Sequence, residues 1–214
     1  MSENHGAEPG AAQRNVSVVL FDGFELLDVF GPLELLSLLP ERVSVTVVGP
    51  TSGHARSHQG TVVLTDAPYD AAPAPDIVLV PGGIGTRALV ADPQFLAWLA
   101  SWASAAQLVT SVCTGSGLLA AAGLLDGYRA TSNKKAFAWA SSQGSTVEWV
   151  AEARWVEDRD RWTSSGVAAG MDMTTALLAS LFGADVARTV ADEIELETHD
   201  DPSWDPFAKL YGLA

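Results

Sequence analysis

From residue 15 onward, short β-branched runs alternate with longer stretches of helical period. Val16-Ser17-Val18-Val19-Leu20 predicts a strand, closed by the turn residues Asp22-Gly23. Residues 26–39 carry apolar side chains at helical spacing, interrupted by Gly31-Pro32 and ended by Pro40. Pro32 suits the first turn of a helix better than its interior, where it removes a hydrogen bond. Residues 43–48 predict a second strand. Residues 61–65 predict another, set inside a polar, glycine-punctuated stretch over residues 54–66.

Ile77-Val78-Leu79-Val80 is continuously apolar, as expected of a parallel strand covered on both faces. Pro81-Gly82-Gly83-Ile84-Gly85 follows it, and Asp92-Pro93 opens a helix that ends near residue 106. Residues 108–112 form the next buried strand, followed at once by Cys113 and a helix over residues 115–122 that Gly123 stops. A strand at residues 129–131 and a helix at 134–142 come next. Residues 146–164 read as a hairpin folded at Asp158-Arg159-Asp160, and helices return over residues 170–182 and 185–197. This alternation predicts an α/β fold, a mostly parallel sheet sandwiched by helices through right-handed crossovers, with a small β-hairpin insertion. Neither a repeat nor a break in composition divides it. The expected layout is a leader at residues 1–14, one domain at 15–197 and a tail at 198–214.

Composition narrows the function. With 214 residues and 48% hydrophobic side chains the chain can bury one sizeable core. Its 26 acidic against 12 basic residues, a net charge of −14, would repel nucleic acid over most of the surface. The single cysteine excludes an intramolecular disulfide framework and a cysteine-rich zinc site. The first residues lack the basic-then-apolar pattern of a signal peptide, and no run reaches the roughly 20 apolar residues that span a bilayer. A cytoplasmic protein without nucleic-acid or membrane partners is expected.

Thr110-Ser111-Val112-Cys113-Thr114-Gly115-Ser116-Gly117 lies where a buried strand turns into a helix. Small residues on both sides let the backbone bend sharply and hold a reactive atom at the carboxyl edge of the sheet. The positive end of the following helix would favour a thiolate there. Such a nucleophile needs a proton partner. His5, His54, His58 and His199 lie in polar or terminal stretches, and His54 with His58 has no third metal ligand, so neither a histidine partner nor a metal is expected. An acid fits better. Asp28 stands in an apolar stretch after the first strand, where desolvation would raise its pKa; it could equally cap the helix, and Glu34, at helical spacing from Leu27 and Phe30, is the alternative acid. The amides of Gly83 and Thr114 would make an oxyanion hole. Trp139, Trp149, Trp155 and Trp162 read as packing or interface aromatics.

These segments resemble the ThiJ/PfpI superfamily, a flavodoxin-like group with a cysteine at a nucleophile elbow. The resemblance spans residues 15–197. Its carriers are Leu27-Asp28-Val29-Phe30-Gly31-Pro32-Leu33-Glu34, Val80-Pro81-Gly82-Gly83, Ser111-Val112-Cys113-Thr114-Gly115-Ser116, residues 121–131 and Ser165-Gly166-Val167-Ala168-Ala169-Gly170-Met171-Asp172. Thr114 stands where the protease-type branch has histidine, so the chain looks like the isonitrile hydratase branch. That resemblance implies a homodimeric lyase without cofactor or metal. Cys113 would attack an isocyanide carbon, Asp28 would shuttle the proton and Thr114 would assist. Gly82, Gly83, Ser132 and Asn133 would border the small-molecule substrate. One segment departs: Thr131-Ser132-Asn133-Lys134 replaces the branch's Thr-Thr-His-Trp, which alters the pocket wall.

Two other readings stand beside this one. Cys113 could serve a ligand-binding or redox sensor, or an amidase-like hydrolase with another substrate. The superfamily also supplies the sensor half of AraC-like regulators, but the stretch after Glu197 is too short for a helix-turn-helix pair.

Overall fold

The computed structural model describes residues 13–214. Most of the expected leader, with His5, lies outside the described residues. In chain order the elements are β1 (Arg14–Val19), α1 (Leu26–Ser37), β2 (Val43–Gly49), β3 (His54–Arg56), β4 (Val62–Leu64), β5 (Ala67–Pro68) and β6 (Ile77–Val80). They continue with α2 (Thr86–Leu89), α3 (Pro93–Ala103), β7 (Leu108–Ser111), α4 (Gly115–Ala121), β8 (Arg129–Ala130), α5 (Phe137–Ser141) and β9 (Glu148–Trp149). β10 (Trp155–Asp158), β11 (Arg161–Ser164), α6 (Ala169–Phe182), α7 (Ala184–Glu193) and α8 (Pro206–Leu210) complete the chain.

Seven strands form one sheet in the order β10-β11-β7-β6-β1-β2-β5, parallel throughout except for the β10–β11 pair. All four residues of β6 are buried, as its apolar run required. From β1 the chain crosses one way to β2; from β6 it crosses the other way to β7 and on to β11. Right-handed crossovers in opposite directions put their helices on opposite faces. Accordingly α1, α6 and α7 pack together while α2, α3 and α5 gather around α4. The reversal falls between β1 and β6. There the carboxyl ends of neighbouring strands open a crevice, the place where sheets of this kind hold ligands.

The structure departs from the pattern-based expectations in three places. α1 runs unbroken through Pro32, because Gly31 and Pro32 are buried against α6, with Met171 Cγ only 2.8 Å from where a Cβ on Gly31 would stand. Packing there outweighs the hydrogen bond that Pro32 cannot make to the Asp28 carbonyl. The hairpin is no insertion. β11 pairs with β7 and β10 closes that edge of the main sheet, with Trp155, Val156, Trp162 and Thr163 buried. The charged turn at Asp158-Arg159-Asp160 disguised it. The tail also folds back: the Arg154 amide donates to the Pro202 carbonyl at 2.8 Å, and Asp205 caps α8 by accepting from the Phe207 amide at 3.0 Å. None of the helices among the described residues is long and apolar enough to cross a membrane.

One buried ion pair joins the tail, the sheet edge and α6. Arg154 Nε and Nη2 donate to Asp172 Oδ2 at 2.7 and 2.5 Å, while Asp172 Oδ1 accepts the His199 amide at 3.0 Å. Removing one partner would strand the other charge out of water. Arg154→Ala is therefore expected to cost about 3–5 kcal/mol of stability in urea unfolding, with Arg154→Met/Asp172→Leu recovering most of it. An unchanged midpoint in Arg154→Ala would show the pair to be dispensable.

Candidate active site

The loops after β1, β6 and β7 meet at the switch point, and backbone hydrogen bonds stitch the first two together. The Glu25 amide donates to the Gly82 carbonyl at 2.9 Å and the Gly85 amide to the Gly23 carbonyl at 3.1 Å. The third loop is pressed against them. A Cβ on Gly82 would lie 2.5 Å from the Thr114 nitrogen and 2.9 Å from Asp28 Oδ2, and one on Gly115 would lie 2.2 Å from the Val80 carbonyl oxygen. Only glycine fits at these two points of approach.

Cys113 sits on the bend itself, at φ 58°, a left-handed conformation that a side chain adopts at a cost. Three hydrogen bonds hold its backbone there. Its amide donates to the Ser165 carbonyl at 3.0 Å, and its carbonyl accepts from Ser132 Oγ at 2.9 Å and Ser116 Oγ at 3.2 Å. Ser165 is fixed in turn, because its amide donates to the Arg154 carbonyl at 2.8 Å. The bend is not exposed, as the elbow pattern suggested: Cys113 retains 6% of its accessible surface. The thiol faces the amides of Thr114 and Val167, and Val167 is itself forced to φ 34°, unusual for a β-branched residue.

Asp28 occupies the first turn of α1 and is fully buried. Its Oδ2 accepts the Gly82 amide at 2.8 Å, whereas Oδ1 has no geometrically complete hydrogen bond among the described residues. The Glu25 charge and the Cys113 thiol are the side chains that act on this carboxyl. Burial raises the Asp28 pKa from 3.8 to about 7, helped by the negative charge of Glu25 and opposed by the Gly82 amide and the thiol. Burial likewise pushes the Cys113 thiol up, and the Asp28 charge adds to it, against the pull of the Thr114 and Val167 amides and the Thr114 hydroxyl. The expectation of a helix-stabilised resting thiolate is thus reversed. α4 is a short helix, and the cost of a buried anion beside a carboxylate outweighs what its end supplies. Two groups that each resist ionisation in one dry site hold a proton between them near neutral pH.

The other expected residues divide. Thr114 is buried, and its Oγ1 accepts the Gly83 amide at 3.1 Å. That amide is therefore engaged, and Val167 supplies the second amide at the sulfur in place of Gly83. Ser132 supports the Cys113 backbone, and Asn133 Oδ1 accepts the Ala136 amide at 3.0 Å ahead of α5. Lys134 is buried and turned to the Thr131 hydroxyl at 2.8 Å and the Ala153 carbonyl at 2.5 Å, with its pKa drawn down to about 8 by burial. Glu34 is exposed, so α1 carries it away from the buried carboxyl that faces the thiol. His54 and His58 are exposed as well, and no group of three potential metal ligands converges among the described residues.

Sequence reasoning passed over Arg87 and Thr86. Arg87 Nη1 donates to Thr86 Oγ1 at 2.7 Å, and Thr86 Oγ1 is 3.4 Å from Thr114 Oγ1. The guanidinium stacks over Trp139, 3.8 Å from its ring centroid. The available signal was position: Gly85-Thr86-Arg87 puts a cation one turn beyond the glycine loop.

The chain matches the DJ-1/PfpI family over residues 14–180. An isonitrile hydratase of Pseudomonas putida is 34% identical over 190 residues, covering 89% of this chain and 81% of that protein. The HTH-type transcriptional regulator GbdR of Pseudomonas aeruginosa is 32% identical over 181 residues, 79% of this chain but 49% of the regulator. Among solved structures, a ThiJ/PfpI family protein from Pseudomonas syringae superposes with a TM-score of 0.79 at 29% identity, covering 93% of this chain and 81% of that one.

A carboxyl that titrates near 7 when folded and near 3.8 when unfolded binds its proton more tightly in the folded state. Asp28 therefore makes the protein lose stability as pH rises from about 4 to 7, after which its contribution is flat. Asp28→Asn, which cannot ionise, is expected to be the more stable protein at pH 8 by no more than about 4 kcal/mol. That advantage should shrink towards pH 4. Chemical denaturation across this range checks it, and a pH-independent difference would contradict the raised pKa.

Proposed function

The chain belongs to the DJ-1/PfpI family, and we propose that within it the protein is a cysteine-dependent lyase that hydrates a small electrophile, an isocyanide, to the N-formamide. The observation that carries this reading is the fully buried carboxyl of Asp28 facing the only cysteine, at a strained strand-to-helix bend. The likeness to isonitrile hydratase over most of the chain supports the substrate class.

The chemistry follows from one proton shared by two groups. An isocyanide carbon carries both an electrophilic centre and a lone pair. As the Cys113 sulfur bonds to that carbon, its S–H bond breaks and the Asp28 carboxylate takes the thiol proton and delivers it to the same carbon, leaving a thioimidate and a carboxylate. The carboxylate then takes a proton from water as the water oxygen adds to the thioimidate carbon. One hydrogen of that water ends on nitrogen and the other restores the shared proton, while the C–S bond breaks and its electrons return to sulfur. The water oxygen becomes the formyl oxygen. The Thr114 and Val167 amides lower the cost of charge on sulfur at each stage.

Water must be admitted singly and late, which suits a nucleophile with so little exposed surface. The apolar side chains Leu27, Phe30 and Ile84 remain exposed on α1 and the loop after β6, the elements that build the site. They support a homodimer that covers this end of the molecule.

Cys113→Ala is expected to abolish formamide production from a small alkyl isocyanide, followed by the formyl proton in NMR, with the fold retained. Asp28→Asn should lower turnover about 10²–10⁴-fold. Unchanged turnover in either variant would remove this mechanism.

A further inference from the structure

We propose that Arg87 is the anion-recognition residue of the Cys113 site, and that the electrophile this site takes carries a carboxylate. The inference rests on the reading of Cys113 as nucleophile and adds to it the class of substrate.

Arg87 belongs to the same cluster as the sulfur. Its Nη1 donates to Thr86 Oγ1 at 2.7 Å and to the Gly83 carbonyl at 3.3 Å, and Thr86 lies against Thr114, the residue that follows Cys113. The guanidinium face is fixed on Trp139, which α4 holds tightly: a Cβ on Gly117 would stand 2.8 Å from that ring. Stacking uses the face of a guanidinium and none of its N–H groups. All the side-chain hydrogen bonds that Arg87 makes among the described residues come from Nη1. That leaves Nε and Nη2, the parallel pair of donors that matches the two oxygens of a carboxylate.

The charge is unanswered too. Arg14, Arg42, Arg56 and Arg87 form no ion pair with a carboxylate among the described residues, and of these Arg87 is the one on which the Cys113 charge acts. It is half-buried, and partial removal from water draws its pKa down, with the Cys113 charge acting in the opposite direction. A cation in that position gains from an anion placed beside it. The surroundings make the assignment discriminating. The chain carries a net charge of −14, and Asp28 and Glu25 add negative charge at the site itself. An anionic substrate would be repelled there unless a local cation reversed the field.

Iodoacetate and iodoacetamide test this directly, because both transfer a two-carbon group to a thiolate with loss of iodide and differ in the charge they carry. Cys113 is the only cysteine, so intact mass reads its modification without ambiguity. In the full-length protein, Arg87→Gln should lower the iodoacetate-to-iodoacetamide rate ratio on the order of tenfold, while Arg87→Lys keeps most of it. Raising the salt concentration should lower the ratio in the wild type more than in Arg87→Gln. If the ratio is the same in wild type and Arg87→Gln, with both reagents still marking Cys113, the anion-recognition role is overturned and the nucleophile stands. If neither reagent marks Cys113 in the folded wild type, the nucleophile reading fails and this inference fails with it.

Discussion

A carboxyl group kept out of water beside a thiol is the interaction on which the site depends. Neither Asp28 nor Cys113 ionises readily where it stands: burial raises both, and the Asp28 charge makes ionisation of Cys113 harder still, while the thiol's hydrogen bond holds back part of the rise at Asp28. Burial of the carboxyl is what brings its proton into play near neutral pH. It also makes the site costly. Asp28 would fit water better than its burial place, so the surrounding fold must hold it there, as functional sites commonly require.

The fold supplies that hold through contacts that stack behind Cys113. The strained backbone of Cys113 rests on Ser165, Ser165 on Arg154, and Arg154 on the buried carboxylate of Asp172, to which the returning tail is also tied. On the opposite side Gly82 meets Asp28 and Thr114 at once, closing the β1 and β6 loops around the acid. Displacing any of these supports would let the bend at Cys113 relax. The switch point thus contributes more than a crevice: it is where three strand ends come close enough for their loops to brace one another.

Much of this was legible from residue pattern. The continuous apolar run of β6, the β-branched run of β1 and the Asp92-Pro93 cap of α3 each predict their element because local rules and burial agree there. Cys113 was legible because its neighbours are small at a strand-to-helix junction. Other features depended on tertiary partners. The length of α1 through Pro32 needed Met171 opposite it, and the place of the hairpin at the sheet edge needed β7 beside it. The choice between Asp28 and Glu34 was open in sequence, since both follow apolar spacing; their burial separates them. The thiol's upward shift was illegible for the same reason, because enclosure is a property of the assembled loops. Arg87 was hidden by chemistry of another kind: a lone arginine on a short helix has no pattern until Trp139 and Thr86 come to meet it.

The state of the Asp28 proton can be read spectroscopically. Infrared titration of the protein, with Asp28→Asn as the difference reference, isolates the carbonyl stretch of this one carboxyl. A protonated band persisting through pH 6 and disappearing with a midpoint near 7, displaced when Cys113 is replaced by alanine, is the expected result. A band that is lost by pH 5 and indifferent to the sulfur would contradict the shared proton and the chemistry built upon it.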